Sequence, residues 1–149
     1  MDPTKISLTV VAVFFPFAFA GAWLFAAFFM SRSGWRAFAR RYPADAGPRE
    51  TVCRSPLTRF GNILTTYRNL VCVVFSETGI HFSVLFLFRP FHAPFLLPWS
   101  SVQRIEKTSG LFGPRYCLEI TDPAGRIKVW LPLTAEPLFS QYARALMAR

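Results

Sequence analysis

The longest apolar stretch of the chain lies near its N-terminus. Between Lys5 and Arg32 there is no Asp, Glu, Lys, Arg or His. As an α-helix, the run from Ile6 to Met30 would be about 37 Å long, against about 30 Å for the hydrocarbon core of a bilayer. A helix also satisfies its own backbone hydrogen bonds, which lipid requires. The pattern therefore predicts a transmembrane helix within residues 1–31 rather than the core helix of a soluble protein.

A cleaved signal peptide would begin in a similar way. Lys5, the apolar run Leu8–Phe17 and the small-x-small triplet Ala18–Ala20 follow the order of such a leader. The apolar run nevertheless continues for ten more residues beyond that triplet, to Met30. Because this extension is long enough to stay in the bilayer, we expect the helix to be retained as an anchor.

The predicted span has two features that suit contacts with other molecules in the membrane. Small residues recur every four positions, which allows a second helix to approach closely, although alanine is also common in spans that face lipid. Seven phenylalanines can pack on lipid, on other helices or on flat pigments, and their number does not distinguish these partners. The helix-packing candidates are Ala18, Ala22, Ala26, Phe14 and Phe25.

The segment after the span places aromatic residues at i, i+3 and i+7 on one face and arginines at i+4 spacing on another. This pattern predicts a short interfacial helix with aromatic side chains in the headgroup layer and arginines toward phosphates. An ordinary topology-setting flank is the alternative. Pro43–Pro48 is predicted to be a linker, so residues 32–49 form one unit. The membrane-interface candidates are Arg32, Trp35, Arg36, Phe38, Arg40, Arg41 and Tyr42.

Basic residues are distributed unequally around the span. Lys5 is the only one before it, whereas five arginines follow within residues 32–49. Since positive flanks stay on the cytoplasmic side, we expect a single-pass inner-membrane protein with its N-terminus outside and its C-terminal domain in the cytoplasm. Three scattered cysteines without CxxC spacing, Cys53, Cys72 and Cys117, favour a reducing compartment.

From about residue 50 the periodicity changes to that of strands. Runs rich in Ile, Val, Phe and Thr are separated by turn residues, including the hairpin turn Asp122–Gly125. An apolar helical face over Glu136–Met147 follows Thr134, a candidate N-cap. The fold class is therefore predicted as α+β, with a mostly-β domain over residues 50–149. The predicted strands are Gly61–Tyr67, Leu70–Phe75, Ile80–Phe88, Phe95–Trp99, Ser101–Lys107, Tyr116–Thr121 and Arg126–Leu131.

Two segments, Val74–Ile80 and Leu97–Ile105, resemble the bacterial pleckstrin-homology-like (PH-like) domains. In that family a strand, a turn and a second strand precede a segment of the form hydrophobic-Pro-Trp-Ser. The resemblance covers about residues 50–148 and implies an open barrel of about seven strands closed by a C-terminal helix. Family members serve as lipid binders, adaptors and subunits of membrane assemblies. No phosphoinositide-binding signature is carried over, because the basic residues of the early strands are scattered.

Few residues are candidates for catalysis or metal binding. Neither His81 nor His92 has a second His or a Cys at metal-ligand spacing, and the carboxylates are dispersed. Cys72 and Cys117 lie in strand-like contexts typical of a core. There is no Gly-rich phosphate loop and no GxSxG motif. We therefore predict no catalytic residues, no metal site and no cofactor, and we expect the protein not to be an enzyme.

The chain is basic, with 17 Lys and Arg against 8 Asp and Glu and a formal net charge of +9. A tethered domain meets anionic lipid before nucleic acid, and each basic residue near that surface contributes about 1 kcal/mol. The expected partners are therefore integral-membrane subunits and anionic lipids, not nucleic acid. We predict an accessory subunit of a larger membrane complex, respiratory or photosynthetic. The alternative is a membrane-tethered module that binds lipid or acts as an adaptor.

Overall fold

The computed structural model describes residues 3–45, 52–61, 65–110 and 113–147. Two helices, α1 and α2, precede the described strands, and one helix, α3, follows them. The helices are α1 Pro3–Met30, α2 Arg36–Arg41 and α3 Glu136–Met147. The strands are β1 Cys53–Ser55, β2 Leu57–Phe60, β3 Thr66–Tyr67, β4 Val71–Ser76, β5 Gly79–Val84, β6 Phe95–Leu97, β7 Val102–Gly110, β8 Gly113–Asp122 and β9 Gly125–Pro132.

The N-terminal helix α1 is long and apolar enough to cross a membrane. Only 6% of its most apolar part is buried within the protein, so it is not a core helix of the strand-bearing region. Pro16 lies inside it without ending it. The sequence prediction of one long apolar helix near the N-terminus is confirmed.

The described strands form two antiparallel sheets, which confirms the α+β prediction. One has the order β1-β4-β5-β6 and the other β3-β2-β9-β8-β7. Over the described residues the sheets do not close into a barrel, and there are nine strands instead of about seven. The predicted turn at Asp122–Gly125 is confirmed, because Asp122 pairs with Gly125 and its Oδ1 accepts a hydrogen bond from the Ala124 amide at 2.9 Å.

Three predicted strands are wrong in part. The first, Gly61–Tyr67, was expected to be one strand, but β2 ends at Phe60 and Gly61 has a φ of +57°. Residues 62–64 lie outside the described part of the chain, and only Thr66–Tyr67 form β3. The second, Ile80–Phe88, stops at Val84 because its partner strand β4 begins opposite it, at Val71. Residues Phe86–Phe88 form a 3₁₀ turn instead. The third, Phe95–Trp99, ends at Leu97, and Trp99–Ser101 form another 3₁₀ turn.

Helix α3 closes the space between the sheets. Its Phe139 is fully buried and packs against Phe75 of β4 and Tyr116 of β8, with ring centroids 5.6 and 5.2 Å apart. Since β4 and β8 belong to different sheets, this single side chain joins both. The β unit, meaning the two sheets with α3, therefore has a continuous core.

Candidate functional site at the helix–sheet junction

The chain turns sharply between α1 and α2. Residues Ser31–Trp35 form a π-helical turn whose regular geometry breaks at Ser33 and Gly34. Gly34 has a φ of +142°, a conformation that residues with a Cβ rarely adopt. A Cβ at this position would lie only 2.9 Å from Cβ of Phe60. Glycine therefore permits both the change of direction and the close approach of the backbone to β2.

Beyond this turn, Trp35 and Phe38 enter the core of the β unit. Their exposed fractions are 0% and 1%. The Trp35 ring lies 5.2 Å from the Phe60 ring, and its Nε1 donates a hydrogen bond to the Ala93 carbonyl at 2.8 Å. The expectation that these two aromatic residues occupy the headgroup layer is wrong, because the turn at Gly34 directs that face of α2 toward the sheets.

Tyr67 connects β3 to the end of α1. Its side chain is fully buried, and its hydroxyl oxygen lies 3.1 Å from the Met30 carbonyl oxygen and 3.0 Å from His92 Nε2. Met30 is the last residue of α1, and carbonyls in a final helical turn need donors from outside the helix. Burial raises the pKa of Tyr67, so the hydroxyl keeps its proton and can donate.

His92 is the second hydrogen-bond partner of the Tyr67 hydroxyl. Burial lowers the pKa of His92, although hydrogen bonds to the Pro90 and Phe88 carbonyls oppose the effect, so the ring is neutral at pH 7. Its Nδ1 lies 3.1 Å from the Pro90 carbonyl, which can only accept. The single ring proton therefore belongs on Nδ1, and Nε2 accepts from Tyr67. The one hydroxyl proton is shared between two acceptors, His92 Nε2 and the Met30 carbonyl.

A second group of polar contacts connects the end of α2 to the β8–β9 turn. The Tyr42 hydroxyl donates to Asp122 Oδ2 at 2.5 Å, and Arg41 Nε lies 3.2 Å from Oδ1. Burial acts to raise the pKa of Asp122, but the hydrogen bonds from Tyr42 and the Ala124 amide and the charge of Arg41 outweigh it and lower the pKa. Arg41 and Tyr42 thus contact a carboxylate of the protein. The predicted position of Tyr42 in the headgroup layer and of the half-exposed Arg41 toward lipid phosphates stays a prediction.

The predicted linker is also part of the junction. The Leu96 amide donates to the Tyr42 carbonyl at 3.1 Å, and the Ala44 amide donates to the Pro94 carbonyl at 3.3 Å. Pro43 forms an isolated bridge with Phe95 of β6. The first residues of the predicted linker Pro43–Pro48 are therefore paired with a sheet edge, while residues 46–48 lie outside the described chain. Several of residues 31–45 therefore contact the β unit, and the predicted boundary between residues 49 and 50 lies outside the described chain.

The other site candidates are exposed in the monomer. Arg32 places its guanidinium 5.6 Å from the centre of the Phe28 ring, and Arg36 and Arg40 face solvent. Their contact with lipid phosphates stays a prediction. The helix-packing candidates also remain predictions, because all five are exposed in the described chain: Ala18, Ala22, Ala26, Phe14 and Phe25.

Helix α1 makes three contacts with residues 87–91 that no sequence pattern predicted. Nε1 of Trp23 donates to the Leu87 carbonyl at 3.3 Å, and the Trp23 ring lies 4.6 Å from that of Phe88. Phe28 and Phe91 meet edge to face at 5.3 Å. No periodicity connects positions so far apart in the sequence, so only the fold brings them together.

The contacts at the junction are structural, because they join α1 and α2 to the β unit. Among the residues that the structure describes, no three His, Cys, Asp or Glu side chains come together as a metal site would require. Burial raises the pKa of the Cys53 and Cys117 thiols, which disfavours the nucleophilic thiolate. His81 is buried in β5 with its Nε2 3.2 Å from the Asp45 carbonyl. In comparisons with known proteins, the chain matches no family model, no curated protein and no solved structure.

Proposed function

We propose that the chain is a non-catalytic, single-span accessory subunit of a larger integral-membrane complex. In this proposal α1 crosses the inner membrane with its N-terminus outside, and the basic β unit braces the complex at the cytoplasmic face. The host would be an energy-converting complex, respiratory or photosynthetic. One observation carries the proposal: the β unit is held against the end of α1 by buried contacts of Trp35 and Tyr67 and by the Tyr42–Asp122 pair.

A fixed connection suits a bracing role better than a recruiting role. A recruiting module gains reach from a flexible tether, whereas a brace must keep one orientation relative to the membrane. At this junction the chain turns directly from α1 into the core of the β unit, with Trp35 fully buried five residues after Met30. The span itself remains largely uncovered, which leaves its surface available to lipid or to helices of other subunits.

We also propose that the β unit is PH-like. Two antiparallel sheets followed by a C-terminal helix that packs between them support this assignment, together with the segments Val74–Ile80 and Leu97–Ile105. In the second segment, Trp99 Nε1 donates to the Ser76 carbonyl at 2.8 Å. The Pro-Trp-Ser motif thus contacts the end of β4, the strand that opens the first segment.

Gentle detergent extraction of native membranes tests the proposed function. A tagged chain should elute with integral-membrane subunits, well above the size expected for a 16.9 kDa protein in a micelle. The variant Tyr67→Phe should lose part of this association while remaining in the membrane. The control variant Tyr142→Phe, on α3 and stacked on Trp99, should keep it. Elution of the wild-type protein alone would contradict the proposal.

The second candidate function is a membrane-tethered module that binds anionic lipid or acts as an adaptor. It is favoured by the exposed Arg32, Arg36 and Arg40 next to the end of the span. The full chain should then carry anionic phospholipids through purification. Replacing the three arginines by glutamine, or raising the salt concentration, should remove this enrichment. Lipid composition that is insensitive to both changes would exclude the module.

A further inference from the structure

Large apolar side chains are exposed in the segment that follows β5. In this segment, residues 85–91, Phe86 is 78% exposed, Leu87 66% and Phe91 50%. Keeping apolar surface in water is unfavourable, and a contiguous exposed patch usually marks an interaction site. We call this segment the 85–91 loop.

The 85–91 loop lies beside α1 rather than beyond its end. Trp23 donates to the Leu87 carbonyl, and Phe28 contacts Phe91. Trp23 precedes Met30 by seven residues, which corresponds to about 10 Å along a helix axis. A bilayer that covers the apolar length of α1 would therefore reach the level at which the loop is attached.

We propose that the 85–91 loop inserts into the cytoplasmic leaflet alongside α1, so that the protein contacts lipid through two elements. The occupant of the exposed apolar surface is lipid, because this surface is continuous with the apolar surface of α1 at the same depth. The inference rests on α1 crossing the membrane. It does not depend on the protein being an accessory subunit.

The backbone of the loop suits a medium of low polarity. The Phe88 amide donates to the Leu85 carbonyl at 2.9 Å, and the Arg89 amide donates to the Phe86 carbonyl at 3.2 Å. Pro90 has no amide hydrogen, and the Leu87 carbonyl is occupied by Trp23. These internal partners lower the cost of removing the segment from water.

The rim of the loop carries charges that suit phosphates. Arg89 is exposed within the loop, and Arg32 is exposed near the end of α1 with its guanidinium over the Phe28 ring. Long basic side chains at such positions extend toward headgroups while their stems contact apolar surface. The arrangement of apolar tips and basic rim matches the boundary between acyl chains and headgroups.

The backbone conformation of Phe91 and the buried His92 fix the orientation of the loop. Phe91 has a φ of +68°, an uncommon and unfavourable conformation for an aromatic residue. The next residue, His92, is buried and bonded to Tyr67 and to the Pro90 carbonyl. This anchor holds Phe91 outward against Phe28 instead of allowing it to fold into the β unit.

Site-specific photo-crosslinking in native membranes tests the inference. The photoreactive analogue p-benzoylphenylalanine replaces Phe86 or Phe91 in the full chain. The control position is Thr78, exposed in the turn at the opposite end of the β4–β5 hairpin, about six residue pairs or 20 Å away. After irradiation, intact-mass spectrometry should show phospholipid adducts at positions 86 and 91 at several-fold higher yield than at position 78.

Three outcomes would overturn the inference: adducts to protein at positions 86 and 91, no adducts there, or equal lipid adducts at position 78. Alkaline carbonate extraction of the wild-type chain separates this failure from that of the proposed function. If carbonate releases the protein, the span and the loop insertion fail together. If the protein is retained and the loop gives no lipid adduct, only the loop insertion fails.

Discussion

At the residue scale, Tyr67 joins two elements through a single hydroxyl group. We expect Tyr67→Phe to destabilise the protein by about 1–3 kcal/mol, because the Met30 carbonyl and His92 Nε2 lose a donor in a buried site. Thermal unfolding in detergent, followed by circular dichroism, measures the effect. The control Tyr142→Phe keeps its ring on Trp99 and should change the unfolding midpoint much less. Equal shifts in both variants would contradict the role of the hydroxyl.

The contribution of Asp122 to stability depends on pH. Its folded-state pKa lies below the unfolded value of about 3.9, so its stabilising effect is complete above that pH and disappears as the pH falls through the folded-state pKa. We expect Asp122→Asn to lower the unfolding midpoint at pH 7, and the difference from wild type to shrink below about pH 4.

The control for this experiment is Glu119→Gln, which removes an exposed pair with Lys128. Because exposed ion pairs contribute little, its midpoint should stay near that of the wild type at pH 7. If Asp122→Asn behaves like the control across the whole pH range, the contact with Tyr42 and Arg41 does not stabilise the junction.

At the scale of elements, Gly34 determines how α1 meets the β unit. We expect Gly34→Ala to destabilise the junction by more than about 1 kcal/mol, because φ is positive and the new Cβ would meet Phe60. Gly21→Ala is the matched control, since nothing lies within 4 Å of its Cβ position and alanine favours helix. If the unfolding midpoints of the two variants shifted by the same amount, this explanation of the turn would be contradicted.

Helix α3 provides the second prediction at this scale. Phe139→Ala should cost about 3–5 kcal/mol, since its ring fills the space between Phe75 and Tyr116 of different sheets. Such a loss is a large part of the stability of a small domain. The exposed neighbour Gln141→Ala should be close to neutral. Chemical denaturation of both variants measures the difference, and a neutral Phe139→Ala would show that α3 does not close the core.

The elements that the sequence predicted well are those with strong local signals. The uncharged run of α1, the Pro-Ala-Gly turn between β8 and β9, and the apolar face of α3 each follow from residues close together in the chain. The junction was missed because the spacing of Trp35, Phe38 and Tyr42 defines a face of a helix without identifying what covers it. Lipid headgroups or a sheet can each cover an aromatic helix face, and the turn at Gly34 determines which of them does.

At the scale of the whole molecule, a long apolar helix and a basic β unit are joined without a loose tether. The exposed length of α1 and the 85–91 loop lie on the same side of the junction, while α3 seals the β unit. One bilayer could therefore cover α1 and the loop and leave the two sheets in water. The net charge of +9 suits a position at an anionic membrane surface.

Protease accessibility of a chain tagged at both ends tests this arrangement most directly. Protease added outside sealed spheroplasts should remove the N-terminal tag and spare the C-terminal tag, which should be digested only after lysis. This result requires a polypeptide that crosses the membrane between its two ends. Digestion of the C-terminal tag in sealed spheroplasts, or protection of both tags until lysis, would contradict the account.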